Sequence, residues 1–95
     1  MSKIDNLVFI DRLPCIDLHG FESEVARVAI IDFINDNLKL KNDLIVIIHG
    51  IGNGILRKTT SEVLKKNSNV LDYRTYYYNN GCTIVELNVE KCNKK

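Results

Sequence analysis

An apolar run over residues 44–48 ends at His49, glycines follow at positions 50, 52 and 54, and helix-forming sequence resumes at Ile55. That order requires a buried strand, a tight loop and a helix in immediate succession, which restricts the chain to folds built from strand–helix units. Glycine lets such a loop take positive φ and lets a ligand come close to the backbone. Placed before a helix, the loop directs unpaired N–H groups and the positive end of the helix dipole at an anion, as a phosphate site does. A second histidine–glycine pair, His19-Gly20, also follows a strand-like segment, Cys15-Ile16-Asp17-Leu18.

The remaining sequence fits around this unit. Pro14 suits the start of a first strand over residues 14–18, where its missing N–H matters least. Residues 23–41 contain neither proline nor glycine, and Ala26, Ala29, Ile30, Phe33, Asn37 and Leu38 recur at spacings of three and four. This spacing predicts an amphipathic helix, with Ser23 as its N-cap. Val25, Val28 and Ile31 widen the apolar stripe, so substantial burial of this helix is expected. A second helix is expected over residues 54–66, with Ile55, Leu56, Thr59, Val63 and Leu64 inward. Two strands follow, over residues 70–78 and 82–89, joined by Asn79-Asn80-Gly81 as a hairpin. In the last strand Thr83, Val85, Leu87 and Val89 alternate with Ile84, Glu86 and Asn88, a half-buried pattern.

The order β-α-β-α-β-β predicts an α/β chain in the form of an α+β two-layer sandwich. Its mixed four-stranded sheet would carry both helices on one face. Residues 1–13 read as an N-terminal extension whose patch Leu7-Val8-Phe9-Ile10 adds a strand or docks on the core. Residues 14–90 form the domain, and residues 91–95 a frayed tail.

A chain of 95 residues supports one domain with one modest core. The net charge of +1 offers no bulk attraction to nucleic acid, so such a role needs a local patch. No apolar run approaches the roughly 20 residues that span a bilayer, and no signal peptide is visible, which points to the cytoplasm. Cys15, Cys82 and Cys92 are too far apart for paired zinc ligands and read as small core or surface thiols.

If the first two strands are parallel, His19 and His49 emerge at the strand ends where open α/β sheets hold ligands. On a regular strand Asp17 and His19 share a face, and an acid beside an imidazole makes His19 a general base or acid. Arg57 and the glycine loop would hold phosphate oxygens. No Gly-x-Ser-x-Gly elbow occurs and no cysteine adjoins a histidine, so phosphodiester chemistry fits better than acyl transfer. Each feature also has a plain structural role. Asp17 can hold backbone, His49 can cap its strand, the glycines can serve the turn, and Arg57 can be an ordinary surface residue.

Ile16-Asp17-Leu18-His19-Gly20 resembles the LDLHG motif of the Smr (small MutS-related) domain. His49-Gly50-Ile51-Gly52-Asn53-Gly54-Ile55-Leu56-Arg57 is similar to that family's HGxGxGxLR motif, and Gly81-Cys82-Thr83-Ile84-Val85-Glu86-Leu87 to its closing glycine-initiated strand. The resemblance covers roughly residues 14–89. It implies a nucleic-acid-binding domain with nicking or endonuclease activity on structured DNA or RNA. Family members stand alone or end a MutS-type protein linked to recombination control and rescue of collided ribosomes.

By resemblance, Asp17, His19 and His49 are the catalytic candidates, and Gly50, Gly52, Gly54 and Arg57 the phosphate contacts. The implied partners are branched DNA, structured or single-stranded RNA, and the ribosome. Magnesium or manganese is an optional ion, and Asp17 would either hold it or orient His19. The alternatives are a non-catalytic RNA- or ribosome-binding module on the same surface and a binder of small phosphates. The chain departs from the family pattern at Ile51, where many members carry lysine, and at Tyr76-Tyr77-Tyr78-Asn79-Asn80. A tyrosine facing solvent there could stack on an unpaired base.

Overall fold

The computed structural model describes residues 13–52, 54–76 and 79–92. The Leu7–Ile10 patch, Tyr77, Tyr78 and the end of the tail lie outside the described residues. Four strands form one mixed sheet in the order β1-β2-β4-β3. β1, Cys15–Asp17, runs parallel to β2, Leu44–Ile48, with Cys15 opposite Val46 and Asp17 opposite Ile48. β4, Asn79–Leu87, pairs antiparallel with β2 on one side and with β3, Val70–Tyr76, on the other. Both helices, α1 over Ser23–Lys39 and α2 over Ile55–Lys66, pack on one face as the element order predicts.

The main core lies between these helices and the sheet. Ala26, Ile30, Ile34 and Leu38 form one line along α1 and meet Ile45 and Ile47 of β2, Val85 and Leu87 of β4, and Val63 and Leu64 of α2. A smaller cluster covers the opposite face, where Val46, Cys82 and Ile84 are buried among Leu13, Leu44, Ile48 and Tyr76. β4 is therefore covered on both faces as well as flanked on both edges. This replaces the half-buried alternation expected for it, since Thr83, Ile84 and Val85 are all buried.

Several boundaries and faces also differ from expectation. Ser23 is the first helical residue of α1 rather than its cap; Glu22 takes the N-cap position without a side-chain bond. Val25, Val28 and Ile31 are exposed, because among the described residues α1 has a sheet beneath it and α2 beside it but no layer above. Ile55 is exposed on the same grounds. The helix stops at Lys39 because Lys41 turns left-handed, with φ 63°. There the Lys41 N–H donates to the Leu38 carbonyl at 3.1 Å and the Asn42 N–H to the Asn37 carbonyl at 2.9 Å, a Schellman closure. Asn37, which the periodicity counted among inward residues, is buried by bonding Phe33 and Asn42. Asn79, Asn80 and Gly81 belong to β4, with Asn79 already paired to Tyr76, so they are ladder and not the hairpin turn. Val89, expected in the last strand, instead opens a short helix, α3 at Val89–Cys92, which reaches into the tail expected to fray from residue 91. No helix among the described residues is long and apolar enough to cross a membrane.

Candidate functional site

Parallel pairing of β1 with β2 brings both carboxyl ends to one edge of the sheet. The Leu18 N–H donates to the Ile48 carbonyl at 2.8 Å, carrying the ladder one residue past β1. The chain then reverses at His19-Gly20, closed by the Phe21 N–H on the Leu18 carbonyl at 2.9 Å. His49 leaves the end of β2 beside it. These two turns and the start of α2 enclose a cleft of about 300 Å³, lined by His19, Gly20, His49, the loop of Gly50, Ile51, Gly52 and Gly54, and by Leu56 and Arg57. Of the catalytic and phosphate-contact candidates, all line this cleft except Asp17; Tyr76 packs instead in the cluster on the opposite sheet face.

Asp17 stands apart for a reason of register. It is opposite Ile48 in the ladder and so shares the sheet face that carries Val46 and Ile84, away from the helices. β1 ends at Asp17, so His19 no longer obeys the strand alternation that would have aligned the two side chains. Instead Asp17 Oδ1 accepts the backbone N–H of His19 at 3.0 Å. The carboxylate shapes the turn that presents His19 and does not touch the ring. The His19 imidazole is exposed and has no hydrogen-bond partner among the described residues.

His49 is in the opposite situation, with only 4% of its surface exposed. Its Nδ1 lies 2.9 Å from the Gly50 carbonyl, an acceptor, so Nδ1 carries the proton and donates. Its Nε2, 2.8 Å from Thr83 Oγ1, then accepts the threonine hydroxyl. Burial lowers the His49 pKa below its ordinary 6.5; the Gly50 bond works against this, and the nearby Arg57 charge adds to it. The ring is thus a neutral Nδ1–H tautomer with both nitrogens engaged. The backbone N–H groups of His49 and Gly50 both donate to the Gly81 carbonyl, at 2.9 and 3.0 Å.

Gly50 has φ 79° and Gly54 φ 84°, a region that side chains with a Cβ rarely adopt. A Cβ at either position would meet nothing within 4 Å, so backbone conformation demands the glycines and the space beside them is open to a ligand. The N–H groups of Ile51, Gly52 and Gly54 donate to no group among the described residues. Gly54 is the N-cap of α2, no side chain caps that end, and no acid sits in its first turn. Arg57 in that turn touches Thr75 of β3 through Nη2 at 3.4 Å and has no carboxylate partner among the described residues. Unfilled donors, a helix N-terminus and a guanidinium therefore converge where a multivalent anion would complete them.

Among the described residues no group of three or more His, Cys, Asp or Glu side chains is placed to hold a metal ion. Asp17, the acidic candidate, lies outside the cleft lining and has an oxygen committed to the His19 amide. This donor set fits a resident divalent ion poorly. Sequence reasoning missed Thr83 and Gly81, the supports under the loop. Thr83 left one signal, a hydroxyl on the inward side of a strand whose other inward members are Val85 and Leu87.

The profile described as Smr domain matches residues 16–88. The chain is 37% identical over 89 residues to Endonuclease MutS2 of Clostridium botulinum (strain Eklund 17B / Type B), a match covering 90% of this chain and 10% of that protein. It is 36% identical over 75 residues to Endonuclease MutS2 of Clostridium novyi, covering 76% and 10%. The chain thus spans about a tenth of the length of these curated relatives. Among solved structures, the Smr domain of Thermus thermophilus MutS2 superposes with a TM-score of 0.77 at 23% identity, over 79% of this chain and 98% of that one. YdaL, a stand-alone small MutS-related protein from Escherichia coli, gives a TM-score of 0.70 at 23% identity, over 77% and 63%. At that identity the likeness is one of fold.

Proposed function

The chain belongs to the Smr domain family, and from that premise we propose that it binds structured DNA or RNA through the cleft and cuts a phosphodiester there. One observation carries the reading. A single cleft unites an exposed, unpartnered imidazole, unfilled backbone donors and a guanidinium with no carboxylate partner among the described residues. The relatives named as endonucleases support it.

In this mechanism the amides of Ile51, Gly52 and Gly54, with Arg57, hold the non-bridging oxygens of one phosphate. His19 takes a proton from an attacking water, whose oxygen bonds to phosphorus as the scissile P–O bond breaks. The leaving sugar oxygen draws its proton from solvent. Negative charge builds on the held oxygens in the transition state, which is where fixed donors stabilise most. Asp17 orients His19 through its backbone.

The test is incubation of the purified protein with end-labelled branched DNA and hairpin RNA, each with magnesium, manganese or EDTA. Backbone scission is the expected result. Intact substrate that is bound in a salt-sensitive manner would replace the nuclease with a non-catalytic binding module. Substrate that is neither cut nor bound would overturn both readings.

A further inference from the structure

The two histidines differ in kind, and the difference assigns work to a residue outside the cleft lining. His19 is exposed and its ring has no hydrogen-bond partner among the described residues, whereas the His49 ring is buried between the Gly50 carbonyl and the Thr83 hydroxyl. The Gly50–Ile51 peptide is trans, so its C=O and N–H point in opposite directions. Holding the Gly50 carbonyl against a buried ring therefore turns the Ile51 N–H away from the protein interior, and Ile51 is exposed and lines the cleft. We infer that Thr83 is a positioning residue of this site: its hydroxyl donates to His49 Nε2, holds the ring on the Gly50 carbonyl, and so aims the Ile51 amide as an anion donor.

Both His49 nitrogens are engaged within the protein, and removing the Nδ1 proton would break the bond to the Gly50 carbonyl, which leaves His49 little part in proton transfer. It also explains why a hydroxyl stands on the inward face of β4. Thr83 lies opposite Ile47 in β2 and Thr75 in β3, so the strand that supports His49 also adjoins the Arg57 contact. A shift of Thr83 would disturb both halves of the anion site.

This assignment rests on the phosphate-binding reading of the cleft, and the experiment separates the two. Nitrogen-15 spectra of the His49 ring and the Ile51 amide would be recorded for wild type, Thr83→Val and Thr83→Ser, followed by binding of a labelled hairpin RNA. Valine matches threonine in shape and cannot donate, so the fold should survive while Nε2 is left without a donor. Wild type should show a protonated Nδ1 and a hydrogen-bonded Nε2, and Thr83→Ser should keep both. In Thr83→Val the Nε2 and Ile51 amide resonances should move and hairpin affinity fall by about tenfold, the loss of one donor. Unchanged His49 and Ile51 resonances in Thr83→Val would overturn the positioning role. Absence of binding by wild type to both the hairpin RNA and a labelled branched DNA would instead overturn the phosphate reading.

Discussion

At the scale of single residues, the cleft carries Ile51 where many family members carry lysine. Ile51 is 66% exposed in the glycine loop, where its apolar surface contributes nothing to holding an anion. Ile51→Lys is therefore expected to tighten binding of hairpin RNA and steepen its salt dependence. The slope of log K against log salt should grow by about 0.7 to 0.9 for one added phosphate contact. Fluorescence titration across a salt series checks this, and an unchanged slope would place Ile51 outside the nucleic-acid path. His49 gives a second prediction, on stability. Its folded pKa lies below the unfolded value of 6.5, so between the two the unfolded chain binds more protons. The stability His49 contributes is complete above 6.5 and is lost as pH falls through the lowered folded value. Urea unfolding at a series of pH values should show wild type losing stability over this range faster than His49→Gln.

At the scale of elements, periodicity identified every major strand and helix, while their faces and ends depended on neighbours. The α1 stripe looked wide because Val25, Val28 and Ile31 are apolar, yet only a further layer could bury them. The alternation of β4 looked half-buried because local pattern carries no information on strand order, and the order β1-β2-β4-β3 makes that strand central. Ile47 of β2 is fully buried among α1, α2 and β4 residues, so Ile47→Ala should cost about 2–5 kcal/mol in chemical denaturation. The end of α1 offers the reverse effect. Lys41 occupies the left-handed position of the Schellman closure, where a Cβ is unfavourable, so Lys41→Gly should stabilise by about 0.5–1 kcal/mol. The same denaturation experiment reads both changes, and a destabilised Lys41→Gly would contradict the account of that helix end.

At the scale of the whole molecule, the net charge of +1 is carried without any overall basic character. On the proposed function, binding would come from the few donors gathered at one sheet edge. The sequence held the ingredients, since both histidines, the glycines and Arg57 stand in recognisable motifs. It could not reveal that Asp17 falls on the far face, because this follows from where β1 ends and how it pairs with β2. Nor could it show His49 and Thr83 meeting, as 34 positions separate them and only the β2–β4 register brings them together. On the proposed function, one cleft both binds the phosphate and, through His19, cleaves beside it. The most direct test compares wild type with His19→Ala, prepared identically, on one labelled substrate, measuring cleavage rate and affinity together. His19 is exposed and has no partner among the described residues, so the account predicts that cleavage falls by about 10²–10⁴-fold while affinity and fold are kept. Equal cleavage by the two proteins would contradict it.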